Sequence, residues 1–222
     1  MTITPTTLTR VAGIAAIAAG LLFVGVQIKH PHLDATSIGS TEVVVRNVLK
    51  IFMALFALVG ITGMYLSQVR RNGLTGLIGY VVLGAGYLLI LSNEVVAAFV
   101  MPTVAKTSPA YVNDVIAAIL SHPLTGDIGL LRTVLHIQDF AFLAGGLVFG
   151  IALYRARVLA RWAAVLLAVG GVVTIVLSLM PDAFYRLLAF PNGIAMIGLG
   201  YSLWRVTRTT QSSVARVPAG VE

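Results

Sequence analysis

The sequence predicts an all-α, polytopic membrane protein, a bundle of six transmembrane helices, and three observations carry that expectation. First, 58% of its 222 residues are hydrophobic and only 10% charged, with a mean hydropathy of +0.96; a soluble domain is roughly half apolar and about a quarter charged. Second, the apolar runs are long enough to cross a hydrocarbon core of about 30 Å, which takes ~20 helical residues. Third, the charges segregate. Arg10, Arg70, Arg71, Arg155, Arg157, Arg161, Arg205, Arg208 and Arg216 flank one set of helix ends, and every carboxylate except Glu222 falls in or near the opposite set.

Six spans follow in order, at about 8–26, 45–67, 74–100, 130–154, 159–179 and 184–204, and one membrane domain takes the whole chain, residues 1–222. The first run follows Arg10 and has the look of a signal peptide. No small-x-small cleavage pattern follows it, and Gln27, Ile28, Lys29, His30 and Pro31 come next, so it reads as a retained helix. Arginines over short loops place both termini in the cytoplasm by the positive-inside rule. The excess of Arg over Lys, with much Ala, Val and Gly, is what a high-GC bacterial genome produces, and the expected location is a bacterial cell membrane.

Between the third and fourth spans, Ser108-Pro109 is a cap followed by proline at the first helical position. Tyr111, Val112, Val115, Ile116, Ile119 and Leu120 then recur at the spacing of one helical face, with Asn113 and Asp114 opposite. A short interfacial helix on the outer surface is expected there.

The starts of the inward-to-outward helices align, with Gly20, Gly86 and Gly171 each twelve residues after Leu8, Leu74 and Leu159. Gly150-Ile-Ala-Leu-Tyr-Arg155 matches Gly200-Tyr-Ser-Leu-Trp-Arg205, and Gly63 to Arg70 is a looser copy. Three tandem helical hairpins would produce this pattern; so would the shared demands of cytoplasmic Arg anchors and aromatic belts. Gly146 with Gly150, Gly60 with Gly63, and Gly84 with Gly86 make smooth patches for close helix approach.

Charged side chains at membrane depth cost a few kcal/mol, so those present usually face a bundle interior and mark a functional route. Arg46 and Lys50 are one turn apart in the second span. Asn93 and Glu94 lie below the outer end of the third, with Tyr80 and Tyr87 at seven-residue spacing on the same face. Arg132, His136 and Asp139 recur on one face of the fourth, and Asn192 follows Pro191 in the sixth. The candidate proton-carrying or ligand-binding residues are therefore Glu94, His136, Asp139, Lys50, Arg132 and Asn93, and the second, third and fourth helices are expected to bring Lys50, Glu94, Arg132, His136 and Asp139 together. Arg46 and Arg132 are near enough to the interface to snorkel out and serve helix register instead.

Several chemistries are excluded. Cysteine is absent, which removes disulfides, thiolate metal sites and thiol nucleophiles. His30-Pro-His32-Leu-Asp34 and His122 lack any zinc spacing, so no metal site is assigned. Only His136 lies within a span, against a bis-histidine haem, and no cofactor is expected. The net charge of +7 is scattered over helix ends without a basic stripe, against nucleic acid as partner. No Walker loop, dinucleotide fingerprint, nucleophile elbow or His-Glu-x-x-His occurs.

Arg10-Val-Ala-Gly-Ile14 with its ending at Gln27 to Pro31, Asn93-Glu94 leading to Met101-Pro102, and Arg161-Trp-Ala-Ala-Val165 together resemble a family of bacterial six-helix integral membrane proteins described as a domain of unknown function. The resemblance implies the fold and transfers no functional residue. The residues themselves point to an outward-facing intramembrane polar site, used for small-molecule or proton-coupled transport. The alternatives are an intramembrane enzyme acting on a lipid-like substrate, with Glu94 or Asp139 as general acid beside His136, and a non-catalytic subunit or sensor. The expected partners are the lipid bilayer and a small-molecule or lipid ligand.

Overall fold

The computed structural model describes residues 4–29, 31–178 and 189–214, with backbone only at 171, 173–178 and 207–214. His30, Leu179, Arg216 and the expected start of the sixth span at Phe184 lie outside the described residues. Those residues form helices and no strands. Helix α1 (Pro5–Gly25) starts at Thr4, whose hydroxyl accepts from the Thr7 amide at 3.2 Å, with Pro5 in the first turn where its missing N–H costs nothing. Helix α2 (Thr41–Leu66) is capped by the Ser40 hydroxyl, which accepts from Val43 N. Helix α3 (Val69–Phe99) is interrupted at Gly73, whose φ of 56° is the left-handed conformation glycine tolerates. Val100 precedes a second break, after which α4 (Met101–Thr107) begins with Pro102 in its first turn. The sequence reading had treated this stretch as part of a loop. Helices α5 (Pro109–Ile119), α6 (Leu131–Ala156), α7 (Arg161–Ser178) and α8 (Ala189–Val214) follow among the described residues.

Helices α1, α2, α3 and α6 are each long and apolar enough to cross a membrane, and α7 adds a shorter apolar stretch over Arg161–Gly170. Each long helix packs on the next: α1 on α2, α2 on α3, α3 on α6, α6 on α7, α7 on α8, and α8 back on α1. The result is a closed ring. Its interior is filled by fully buried Ile61, Met64, Leu83, Tyr87, Phe149, Leu153, Leu167, Met196, Leu199 and Leu203.

Small residues set the tightest contacts, as expected where lipid tails compete equally for apolar side chains. A side chain at Gly79, Gly86 or Gly145 would run into the backbone of Phe149, Phe142 or Leu83, so α3 and α6 touch main chain to main chain. Gly60 and Gly63 seat Ala16 and Ala12 of α1, while Gly84 has only Ile61 near it, at 4.0 Å. Of the aligned glycines, Gly150 and Gly200 play the same part, each facing the following helix of the ring through Ala168 and Gly13 respectively. Gly20 and Gly86 do not: Gly20 faces α8, the preceding neighbour, and Gly86 faces α6, the following one.

One end of the bundle carries a roof. Ile38, Val43, Met101, Val112, Val115, Ile116, Ile128 and Leu135 form a second buried cluster built from α4, α5, the α1–α2 connection and the stretch before α6. Asn113 and Asp114, expected opposite the apolar stripe of α5, both act as staples, Asn113 from the exposed face and Asp114 from a buried position. Asn113 Oδ1 accepts from Ala35 N at 2.8 Å. Asp114, only 6% exposed, accepts from the Thr125 amide at 2.7 Å and the Thr125 hydroxyl at 2.9 Å. Both flanking connections are long and polar and need partners for their backbone groups. At the first of them, Asp34 accepts from Thr36 and Ser37, and these bonds hold its carboxyl at about 2.

Two outcomes are expected. Gly145→Val should lower the thermal stability of the detergent-solubilised protein by about 1–3 kcal/mol, the usual cost of overpacking. Gly25→Ala, where nothing lies within 4 Å, should leave it unchanged. The bonds from the Thr125 amide and hydroxyl hold the Asp114 carboxyl below its ordinary 3.8, so its contribution is full at neutral pH and is withdrawn as pH falls through the lower folded value. Asp114→Asn should therefore melt earlier than wild type at pH 7, and the gap in melting temperature should close only once the pH is taken below 3.8.

Candidate functional site

Directly beneath the roof, α2 and α3 bring opposite charges together. Lys50 Nζ lies 3.2 Å from Glu94 Oε1, with each side chain 18% exposed. Lys50 also reaches Asn47 Oδ1, one turn earlier on α2, at 3.4 Å. Glu94 Oε2 is buried with no hydrogen-bond partner among the described residues. The pair is thus charge-balanced yet retains a spare acceptor, at a depth of about 7 Å from the end of α3.

Asn93, next to Glu94, points toward α6 rather than α2. Its Nδ2 donates to Gln138 Oε1 at 2.6 Å. Gln138 Nε2 in turn lies 3.5 Å from Asp139 Oδ1, at the limit of a hydrogen bond. Asn93 also borders a small apolar cavity of about 40 Å³ under the roof, with Val96, Met101, Val112 and Leu135 in its walls.

Arg132, His136 and Asp139 occupy a different face. They line a cleft of about 160 Å³ between the start of α6 and the end of α5, together with Ser121 and His122. Among the described residues none of the three forms an ion pair with Lys50 or Glu94; the ion pairs are Lys50 with Glu94 and Arg46 with Glu42. The expected single constellation is therefore split in two at one level of the bundle, joined only through Gln138 and Asn93. The reason is the rotation of α6. Leu135, Gln138, Ala141, Phe142 and Gly145 face the interior or α3, which turns the stripe of 132, 136 and 139 outward.

Arg46 has a structural task. Its guanidinium donates to the carbonyls of Val26, Ile28 and Lys29 at 2.8–3.1 Å and pairs with Glu42 at 2.9 Å, closing the C-terminal end of α1, where a cation is favoured. Tyr80 donates to or accepts from Thr62 at 3.0 Å and stacks on Tyr65 at 4.9 Å. Tyr87 is fully buried, and its hydroxyl has no hydrogen-bond partner among the described residues. Asn192 is buried against Gly170 of α7.

Below the Lys50–Glu94 pair lies an aromatic floor. Phe142 of α6 stacks on Phe23 of α1 at 6.2 Å and meets the edge of Tyr87 at 5.4 Å. Helices α1 and α6 are not ring neighbours, so this contact crosses the interior.

The sequence reading missed Asn47 and Gln138. Asn47 sits three residues before Lys50 on the same face, which was a usable signal. Gln138 had none, because its neighbours Ile137 and Asp139 do not mark it as the inward residue. At the opposite end Gln68 and Asn72 are buried and leave amide atoms unpaired, and these too went unnoticed in a short connection.

Comparison of the chain with family models, with curated proteins and with solved structures returns no match. What the site does has to be argued from its own geometry.

Removing one member of a largely buried ion pair strands the other charge. Lys50→Met and Glu94→Gln should each destabilise the solubilised protein by about 1–3 kcal/mol, the lower range reflecting partial exposure. The double variant should fall short of the sum by about 1 kcal/mol or more in a thermal double-mutant cycle.

Proposed function

We propose that this chain is a six-span protein of a bacterial cell membrane, with both termini cytoplasmic and the α4–α5 roof outside, that handles a small molecule together with a proton at Lys50 and Glu94. The arginines at the unroofed end support the orientation. Helices α7 and α8 supply the fifth and sixth spans; the 18 residues of α7 make ~27 Å of helix.

The observation that carries the functional reading is the Lys50–Glu94 contact at 3.2 Å with Glu94 Oε2 unpaired. A proton arriving at Glu94 frees Lys50, whose ammonium then accepts a ligand anion in place of the carboxylate. Loss of the ligand restores the pair and returns the proton. Charge is balanced in the resting pair and again when proton and anion are both bound, so the two arrive together, as a low-dielectric site favours. The aromatic floor of Phe23, Phe142 and Tyr87 closes the site from the cytoplasmic half, which fits a conformation addressed from outside. Transport would then require Phe23 and Phe142 to part.

Reconstitution into liposomes loaded with a pH-sensitive dye tests this. Wild type should acidify the lumen when small carboxylates are added outside at acidic pH, and Glu94→Gln should abolish the signal. A signal equal in the two proteins, or absent from both, removes the reading.

A second reading is favoured by the packing below the floor, where Leu83, Phe149 and Leu153 are fully buried. A site used from one side only suits an intramembrane enzyme acting on a lipid-like substrate, with Asp139 as acid and His136 in the same cleft, or a non-catalytic subunit or sensor. Altered lipid extracts in a deletion strain would support the enzyme.

A further inference from the structure

The cleft on the outer face of α6 is distinct from the Lys50–Glu94 pair and has its own chemistry. We propose that it binds a phosphate monoester carrying a neighbouring hydroxyl, with a single-chain phospholipid as the favoured source.

The side chains of Arg132 and His136 make no hydrogen bond or ion pair among the described residues, Arg132 bonding through its backbone amide to Gly129, whereas the side chains of Arg46, Lys50 and Glu94 are all engaged. Arg132 is the second residue of α6, which puts its guanidinium at the level where lipid phosphates lie if α6 spans a membrane. A guanidinium forms paired, charge-assisted hydrogen bonds with phosphate oxygens. His122 and Ser121 stand on the opposite wall of the cleft. Ser121 has a φ of 60°, the position after α5 at which glycine is usually found. Serine there keeps a hydroxyl in the cleft at a backbone conformation that disfavours it.

Asp139 lies seven residues, about 10 Å, further along α6. A carboxylate repels the phosphoryl group, so the ligand must present a hydrogen-bond donor at that depth. In a lipid whose phosphate is at Arg132, that depth belongs to the glycerol carbons, and a donor there means an unacylated hydroxyl. Beyond the cleft Ile137 and Phe140 are 53% and 69% exposed and offer an apolar track for one chain. The cleft volume of about 160 Å³ suits a glycerol phosphate, being close to a cavity that takes a benzene-sized molecule.

The test is binding to the full-length protein in detergent, followed by thermal shift and native mass spectrometry. The probes are lysophosphatidic acid, diacyl phosphatidic acid, glycerol 3-phosphate and inorganic phosphate. Lysophosphatidic acid should bind at least ~10-fold more tightly than the diacyl lipid, Arg132→Gln should weaken it ~10-fold or more, and Arg132→Lys should recover part of the loss. Asp139→Asn should shrink the preference for the single-chain lipid. Glycerol 3-phosphate binding as tightly as the lysolipid, with the same dependence on Arg132, keeps the headgroup chemistry and assigns the source as soluble. Equal binding by wild type and Arg132→Gln, or by inorganic phosphate and the hydroxyl-bearing probes, overturns the proposal. Arg132 is exposed, so loss of fold is not expected, and an unshifted melting temperature of the ligand-free variant verifies it. Neither result depends on proton movement at Glu94.

Discussion

Main-chain contact between α3 and α6 fixes the rotation of α6, and with it the meaning of every polar residue in this half of the bundle. Where Gly79 meets Phe149, Gly86 meets Phe142 and Gly145 meets Leu83, no side chain separates the two backbones. A helix held this closely has one rotational setting, because turning it by a single residue position, about 100°, would drive a side chain into the facing backbone. The setting that satisfies these glycines points Gln138 inward and Arg132, His136 and Asp139 away. The polar groups do not choose their own faces; the small residues one to four turns away choose for them. That is the expected order of strength in lipid, where close van der Waals contact is the main source of helix association and a polar residue takes what partner the packing leaves it.

That hierarchy explains what was legible in the sequence. Long apolar runs are one-dimensional signals and hardly depend on neighbours, so α1, α2, α3 and α6 emerge near their expected bounds. Lys50 and Glu94 were expected to meet and do so, since opposite charges at similar depth on neighbouring helices favour each other in a low-dielectric interior. The convergence of His136 and Asp139 on them did not follow, although the spacing of four and three residues correctly placed both on one face with Arg132. Periodicity says which residues share a face. It does not say which way the face turns, and that information lay in Gly79, Gly86 and Gly145, which a sequence reader can only treat as generic packing residues.

The roof failed to be legible for a related reason. Asn113 and Asp114 lie opposite the apolar stripe of α5 and so read as solvated. Asn113 does stay exposed while the loop of 33–37 reaches it, but Asp114 is buried where Thr125 reaches it. An interfacial helix is normally assigned one wet face. Here the two connections are too long to leave their backbone amides unsatisfied, and short acidic and amide side chains on α5 accept from them. The polar face of a helix is an exposed face only if nothing else needs its acceptors.

Placing the charges beneath such a roof has a physical consequence. A carboxylate and an ammonium in contact form a dipole whose field falls off faster than that of either charge, which lowers the cost of holding them below the helix ends. Asn47 and the Asn93–Gln138 bond extend the polar neighbourhood without adding net charge. Among the described residues, two groups here are left without a hydrogen-bond partner, Glu94 Oε2 and the Tyr87 hydroxyl of the floor. Packing alone would favour removing both charges, because an apolar pair of similar volume is often as stable as a buried ion pair or more so. A charge pair held with one oxygen idle, between an aromatic floor and a stapled roof, is the arrangement on which the proposed exchange of a proton and an anion rests.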